Sequence, residues 1–175
     1  MKFKSIGNNV KIYKSARIIH AGNIEIGNNV IIDDFVFIVA KKGIKIGNNV
    51  HIKNFVGITG DGLLQMEDYT SIAQGTKILM SSDDYTNSYL TNSTVPDEFK
   101  NVYSAPISIK KFSVVGANCV ILPGVTLSEG TFIGPNSLVK VNTITEPYSL
   151  YEGTPIKKVG EMSKEKVLYL KNMCK

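Results

Sequence analysis

At 175 residues, with two cysteines, a net charge of +5 and 43 % apolar residues, the chain is long enough for one domain with a sizeable core. No apolar run approaches a membrane span, the amino terminus has no signal-peptide pattern, and no helix-turn-helix, zinc-finger or RNA-binding signature appears. A cytoplasmic protein is therefore expected, with no membrane span and no nucleic-acid partner; its scattered lysines suit solvated faces and a mild attraction for anions.

From the amino terminus the sequence repeats every twenty residues. Ile6-Gly7-Asn8-Asn9-Val10 recurs as Ile26-Gly27-Asn28-Asn29-Val30 and as Ile46-Gly47-Asn48-Asn49-Val50, with a degraded copy at Met66-Glu67-Asp68-Tyr69-Thr70. A fixed period marks a solenoid, in which each repeat buries its apolar face against its neighbours. A shorter beat runs inside it: Ile6, Ile12, Ile18; Ile26, Ile32, Ile38; Ile46, Ile52, Ile58; Met66, Ile72, Ile78. Three hexads plus two extra residues complete each repeat. A six-residue apolar beat fits neither an amphipathic helix nor a simple alternating strand. It fits a short strand plus a corner, three of which close a triangular coil. Gly and Asn suit the corners because they tolerate left-handed angles, and β-branched Ile and Val suit the flat sides.

The beat breaks over residues 81–106, a polar, turn-rich stretch with several tyrosines that is too long for a simple connection, and an ordered functional loop is expected there. It resumes at Ile109, Val115, Ile121, Leu127, Ile133 and Val139 without the inserted pair. With coils about 4.8 Å apart, the prism should be roughly 25–35 Å long. Past Glu161 there is no Gly or Pro, and Val167, Leu168, Leu170 and Met173 recur at helical intervals. The expected organisation is an all-β, parallel β-helix over residues 1–160 with an 81–106 excursion, then a short helix over 161–175 packed on the prism. Cys119 takes a small inward position, so a reduced packing cysteine is expected, and Cys174 is far from it in sequence.

Three later motifs point to a family. Val114-Val115-Gly116-Ala117-Asn118-Cys119-Val120-Ile121-Leu122-Pro123-Gly124-Val125, Ile133-Gly134-Pro135-Asn136-Ser137-Leu138-Val139 and Tyr151-Glu152-Gly153-Thr154-Pro155-Ile156-Lys157-Lys158-Val159 follow one another in order. Together with the hexads they resemble the left-handed β-helix, hexapeptide-repeat acyltransferases. The resemblance is strongest to the galactoside and maltose O-acetyltransferase branch and to the sugar acetyltransferases of cell-surface polysaccharide clusters. It implies a left-handed coil, a homotrimer, acetyl-CoA in a groove between subunits and an acceptor near the long loop. It also implies that Ala117, Pro135 and Ser137 lie along the pantetheine arm, and that Lys157, with Lys140, meets the cofactor's phosphates. No metal is implied, and two histidines are too few for a three-histidine zinc site on this scaffold.

The family's general base is a histidine where the long loop begins. Here that position aligns with Asp83, followed by Asp84 and Tyr85. A carboxylate of ordinary pKa is a poor base for a sugar hydroxyl unless a neighbouring carboxylate raises it, and Asp61 is the candidate neighbour. Asn54, Asp61 and Tyr85 complete the expected acceptor site, against the alternative that Asp83 and Asp84 only form a turn. His51 is expected to point outward from its coil as a surface side chain, with a base on that face as the alternative, and His20 sits by an early corner. Three readings follow: an acetyl-CoA-dependent acetyltransferase of a saccharide hydroxyl, first; an N-acetyltransferase of a nucleotide-linked amino sugar, since an amine needs less help from a base; and a noncatalytic trimeric scaffold that has lost its base.

Overall fold

The computed structural model describes residues 2–84, 86 and 88–173; Tyr85 and Cys174 lie outside the described residues. The chain winds through about seven turns, and its short strands stack into three parallel sheets, the faces of a prism. Face A runs from Ser5–Ile6 to Thr126–Leu127. Face B begins at Lys11–Ile12 and continues to Phe132–Ile133. Face C begins at Arg17–Ile19 and ends at Leu138–Val139.

The hexad residues set this register. Ile26 pairs with Ile6 and Ile46, and Ile46 with Met66, the partners lying one repeat apart. Across the excursion Met66 pairs with Ile109, and Ile109 then pairs with Leu127. The hexad aliphatics from Ile26 to Val139 are buried, and they form one continuous core. Ile6 in the first coil is 51 % exposed, as expected where no further coil covers it.

The corners use the Gly-Asn-Asn triplet differently from the expectation. The left-handed residue is the second asparagine, with φ of 54–56° at Asn9, Asn29 and Asn49. The glycine is required by close approach instead. A β-carbon on Gly27 would lie 2.7 Å from the carbonyl carbon of Gly47 in the next coil. The first asparagine knits the coils together: Asn28 Oδ1 accepts from the Asn8 backbone N–H, Asn48 Oδ1 from Asn28, and Asp68 Oδ1 from Asn48.

Two features depart from the sequence reading. Ser149–Gly153 and Ile156–Glu161 form an antiparallel hairpin that extends face B, so Glu161 ends a strand. The helix spans Lys164–Met173, and none of its residues is buried. It meets the prism through lysines over aromatic rings: Lys171 Nζ lies 5.5 Å from the Phe112 ring centroid and Lys164 Nζ 5.6 Å from that of Tyr148. Among the described residues, no helix is long and apolar enough to cross a membrane.

Candidate active site

The excursion leaves the prism at the edge between faces C and A. Ser81–Asp83 pairs antiparallel with Val102–Ser104, and the Tyr103 hydroxyl donates to Asn142 Oδ1 at 2.7 Å, tying the loop to a later coil. At the same edge one coil earlier, Gly60 has φ +113° and carries the Ser81 backbone against it, a contact that leaves no room for a side chain. The Asp61 N–H donates to Ser81 Oγ at 3.3 Å. Asp61 and Asp83 therefore line one cleft of about 650 Å³, with Lys41, Lys42, Ser82 and Lys100.

The carboxylates around this cleft are not equivalent. Asp61 faces Lys41 Nζ at 3.4 Å, and Asp97 faces Lys100 Nζ at 2.8 Å, which holds the Asp97 carboxyl below its ordinary range. Asp84 Oδ1 accepts from the Thr86 N–H at 3.0 Å and the Thr86 hydroxyl at 2.7 Å, and its Oδ2 accepts from Asn101 Nδ2 at 3.0 Å. That is the bonding of a loop-former. The exposed Asp83 carboxylate has no hydrogen-bond or ion-pair partner among the described residues. It also borders a second cleft of about 850 Å³, with Asp84, Tyr103, Leu122 and Lys140.

The structure separates the other predicted residues by edge. Asn54 lies at the edge between faces B and C, at the far end of the Gly57–Thr59 strand from Asp61, and borders neither Asp83 cleft. It stacks instead with Gln74, Ala117 and Pro135, since Gly75 N donates to Asn54 O, Asn118 N to Gln74 O and Asn136 N to Ala117 O. The hairpin tip joins this edge through Thr154 Oγ1 donating to Asn136 O, with exposed Lys157 just beyond it. Ser137 is 2 % exposed; its hydroxyl accepts from Gly153 N and faces the Pro135 carbonyl, so it braces the coil from inside. Lys140 borders the Asp83 cleft rather than the Ala117 edge. His51 sits on face B, with Nε2 3.0 Å from Asp33 Oδ2, and His20 takes a left-handed corner of the first coil. Buried Cys119 points its thiol at the Gly134 carbonyl, and burial pushes that thiol's pKa up. Sequence reasoning missed Lys42, which borders both Asp83 clefts; its only signal was the Lys41-Lys42 doublet. No cluster of three metal-ligating side chains exists among the described residues.

No protein-family model matches the chain. It is 39 % identical, over 176 aligned residues covering all of it and 90 % of the relative, to the dTDP-4-amino-4,6-dideoxy-D-glucose acyltransferase of Escherichia coli. The chain belongs to the hexapeptide-repeat, left-handed β-helix acyltransferases. A variant of AntD, an N-acyltransferase from Bacillus cereus solved with dTDP-4-amino-4,6-dideoxyglucose and coenzyme A, is 34 % identical with a TM-score of 0.92, over 98 % of this chain and 90 % of that one. AntD with dTDP and 3-hydroxybutyryl-CoA is 32 % identical with a TM-score of 0.88, over 99 % of this chain and 93 % of that one. The chain is an acyltransferase, which replaces the scaffold reading. Its similarity to enzymes named for nucleotide-linked amino sugars favours N-acylation over the saccharide O-acetylation that the motifs put first.

Proposed function

We propose that this acyltransferase moves an acyl group from coenzyme A to the amino group of a nucleotide-linked amino sugar of the dTDP-4-amino-4,6-dideoxyglucose type. The observation that carries the reading is Asp83, without a partner among the described residues and bordering two clefts, in a loop with no histidine. A neutral amine is nucleophilic enough to attack a thioester without prior deprotonation, whereas a sugar hydroxyl needs a strong base. The amine nitrogen bonds to the thioester carbonyl, the nitrogen of the adduct becomes cationic and acidic, and Asp83 takes its proton. The carbon–sulfur bond then breaks, and the coenzyme A thiolate leaves and is protonated. Asp61, held by Lys41, lines the same cleft and positions the sugar. Ala117 and Pro135, with Lys157 beyond the hairpin tip, are proposed to bind the cofactor along the B–C edge.

A homotrimer is part of this proposal. The outward residues of face C include Phe37, Val39, Leu79, Leu122 and Leu138, while those of face A include Glu25, Lys45, Gln65 and Ser108. Face C is the face to pair with a neighbour, and it is bordered by both the Asp83 edge and the Ala117 edge. Each groove between subunits then receives the Asp83 edge of one subunit and the Ala117 edge of its neighbour. The test is thiol release from acetyl-CoA and from 3-hydroxybutyryl-CoA, with dTDP-4-amino-4,6-dideoxyglucose against its 4-hydroxyl counterpart. Turnover with the amine alone is expected; equal turnover of the hydroxyl sugar would overturn the reading.

A further inference from the structure

The B–C edge carries an exposed aromatic ledge. Its left-handed corner position is Gly75, Asn118 and Asn136 in the later coils, residues that tolerate a positive φ. In the second and third coils the same position holds Phe35 and Phe55, at φ 60° and 61°. A bulky aromatic residue is uncommon at such an angle, which Tyr69, Phe112 and Tyr148 share at other corners. The two rings stack with centroids 5.1 Å apart and planes 4° from parallel. They remain 57 % and 53 % exposed. The stack ends at Phe55, because the next residue in the ladder, Gly75, has no side chain.

A second aromatic pair on the opposite edge shows what such a ledge does when filled. Tyr69 and Phe112 occupy left-handed corners and stack less regularly, with centroids 5.4 Å apart and planes 27° from parallel. They are only partly exposed, and the Lys171 ammonium lies over Phe112. Phe35 and Phe55 have no such cover among the described residues. They line a cleft of about 320 Å³ with Phe37, Thr59, Lys77 and Leu79. Lys77 Nζ donates to the Phe55 carbonyl at 2.8 Å and has no carboxylate partner among the described residues. Thr59 also lines the cleft that holds Asp61 and Asp83. The ledge and the Asp83 cleft therefore border the two edges of face C, the edges that the proposed trimer brings together in each groove between subunits. The three-residue strand Gly57–Thr59 between them is about 10 Å long.

We infer that Phe55, backed by Phe35, stacks on the nucleobase of the nucleotide-linked acceptor, and that Lys77 faces its diphosphate. The sugar then extends across the groove between subunits to the Asp83 edge of the neighbouring subunit. This assignment rests on the proposed function: the occupant is a planar base joined through phosphates to a sugar, matching a flat apolar ledge, a cation beside it and a carboxylate beyond. The cofactor's adenine is the competing occupant, but the corners implied for the cofactor, at Ala117 and Pro135, lie in later coils of this edge.

Phe55→Asn separates binding from folding, because asparagine already occupies this corner at Asn118 and Asn136. Calorimetric titration with dTDP, steady-state kinetics with the dTDP-amino sugar and acetyl-CoA, thermal unfolding and sedimentation test the inference together. Loss of a base–aromatic stack should weaken dTDP binding by about 5- to 150-fold. The acceptor KM should rise in parallel, with the acetyl-CoA KM, the oligomeric state and the Tm undiminished, and Phe55→Tyr should retain binding. Unchanged dTDP affinity in Phe55→Asn, with wild type turning over the amino sugar, overturns this inference alone. A rise in the acetyl-CoA KM instead gives the ledge to adenine and also overturns it. Dissociation into monomers makes the ledge a subunit contact and overturns it too. Wild type with neither dTDP affinity nor turnover overturns this inference together with the proposed acceptor.

Discussion

Asp83→Asn and Asp84→Asn, adjacent and isosteric, should have opposite consequences. The Asp83 carboxylate is exposed and bonded to nothing described, so its removal costs no interaction of the fold. Stability should stay within about 0.5 kcal/mol of wild type, and the melting temperature within about 2 °C. A positioned proton acceptor contributes about 100- to 10,000-fold, so kcat/KM for the amino sugar should fall by that factor, about 2.7–5.5 kcal/mol of transition-state stabilisation. Asp84 accepts hydrogen bonds from Thr86 N, Thr86 Oγ1 and Asn101 Nδ2. An asparagine there keeps a carbonyl oxygen for the Thr86 pair but turns an amide nitrogen on Asn101. Of the described bonds, this one to a charged acceptor is lost, worth about 1.5–3 kcal/mol, and the loss falls within the loop. Asp84→Asn should therefore lower turnover by less than 10-fold and make the loop easier to cleave with protease. Thiol-release kinetics at saturating acetyl-CoA, with limited proteolysis and thermal unfolding of both variants, decide the matter. Full turnover in Asp83→Asn, or a larger kinetic loss in Asp84→Asn, would refute Asp83 as the proton acceptor.

Gly47→Ala places a β-carbon 2.8 Å from Asp68 N and 2.9 Å from the Glu67 carbonyl carbon, both backbone. Overpacking of this kind costs about 1–3 kcal/mol, or about 2–12 °C in Tm, whereas Gly22→Ala, which meets nothing within 4 Å, should be near neutral by thermal unfolding. Tyr148 has its hydroxyl pKa pushed up to about 12 by burial and by its hydrogen bond to Glu129. Its proton is held more tightly folded than unfolded, so its contribution is complete below pH 10 and declines as pH rises from about 10 towards about 12. Denaturant titrations of Tyr148→Phe should show a shallower loss over that window than wild type.

The fold was legible because each hexad repeats one physical instruction: an inward aliphatic, an outward residue, a corner. Side-chain alternation and coil stacking turn those instructions into three faces and one core. The corners were less legible. The motif Gly-Asn-Asn says that a corner exists, but only the winding says that the second asparagine takes the left-handed angle while the glycine makes room for the next coil. The site suffered from the same ambiguity. Asn54 and Asp61 are seven positions apart and read as neighbours, yet a full strand of face C lies between them, so they occupy different edges. Ser137 could have been placed from the sequence, since it repeats the inward position of Cys119 one coil later, and a residue there braces the core. The terminal hairpin was not visible, because antiparallel pairing at the end of a parallel stack leaves no trace in the hexad beat.

The exchange of histidine for aspartate on this scaffold follows from the acceptor. A hydroxyl must lose its proton as it attacks, so the base has to compete for a proton held far more tightly than a carboxylate holds one. An amine attacks first and loses its proton afterwards, from a cationic nitrogen that gives it up readily. A weak base is then sufficient, provided that it is not already engaged. The described residues meet that condition at Asp83: Asp61 and Asp97 have lysines beside them, and Asp84 is bonded into the loop. The lysines thus do more than balance charge. By occupying the neighbouring carboxylates they leave Asp83 as the open proton acceptor, and they lower the negative potential that would otherwise repel a phosphate-bearing substrate. An enzyme built this way should discriminate sharply against hydroxyl sugars through chemistry rather than fit, so the hydroxyl counterpart should bind as an inhibitor with affinity close to that of the amine. A hydroxyl analogue that fails to inhibit would show that shape, and not the weakness of the base, sets the choice of acceptor.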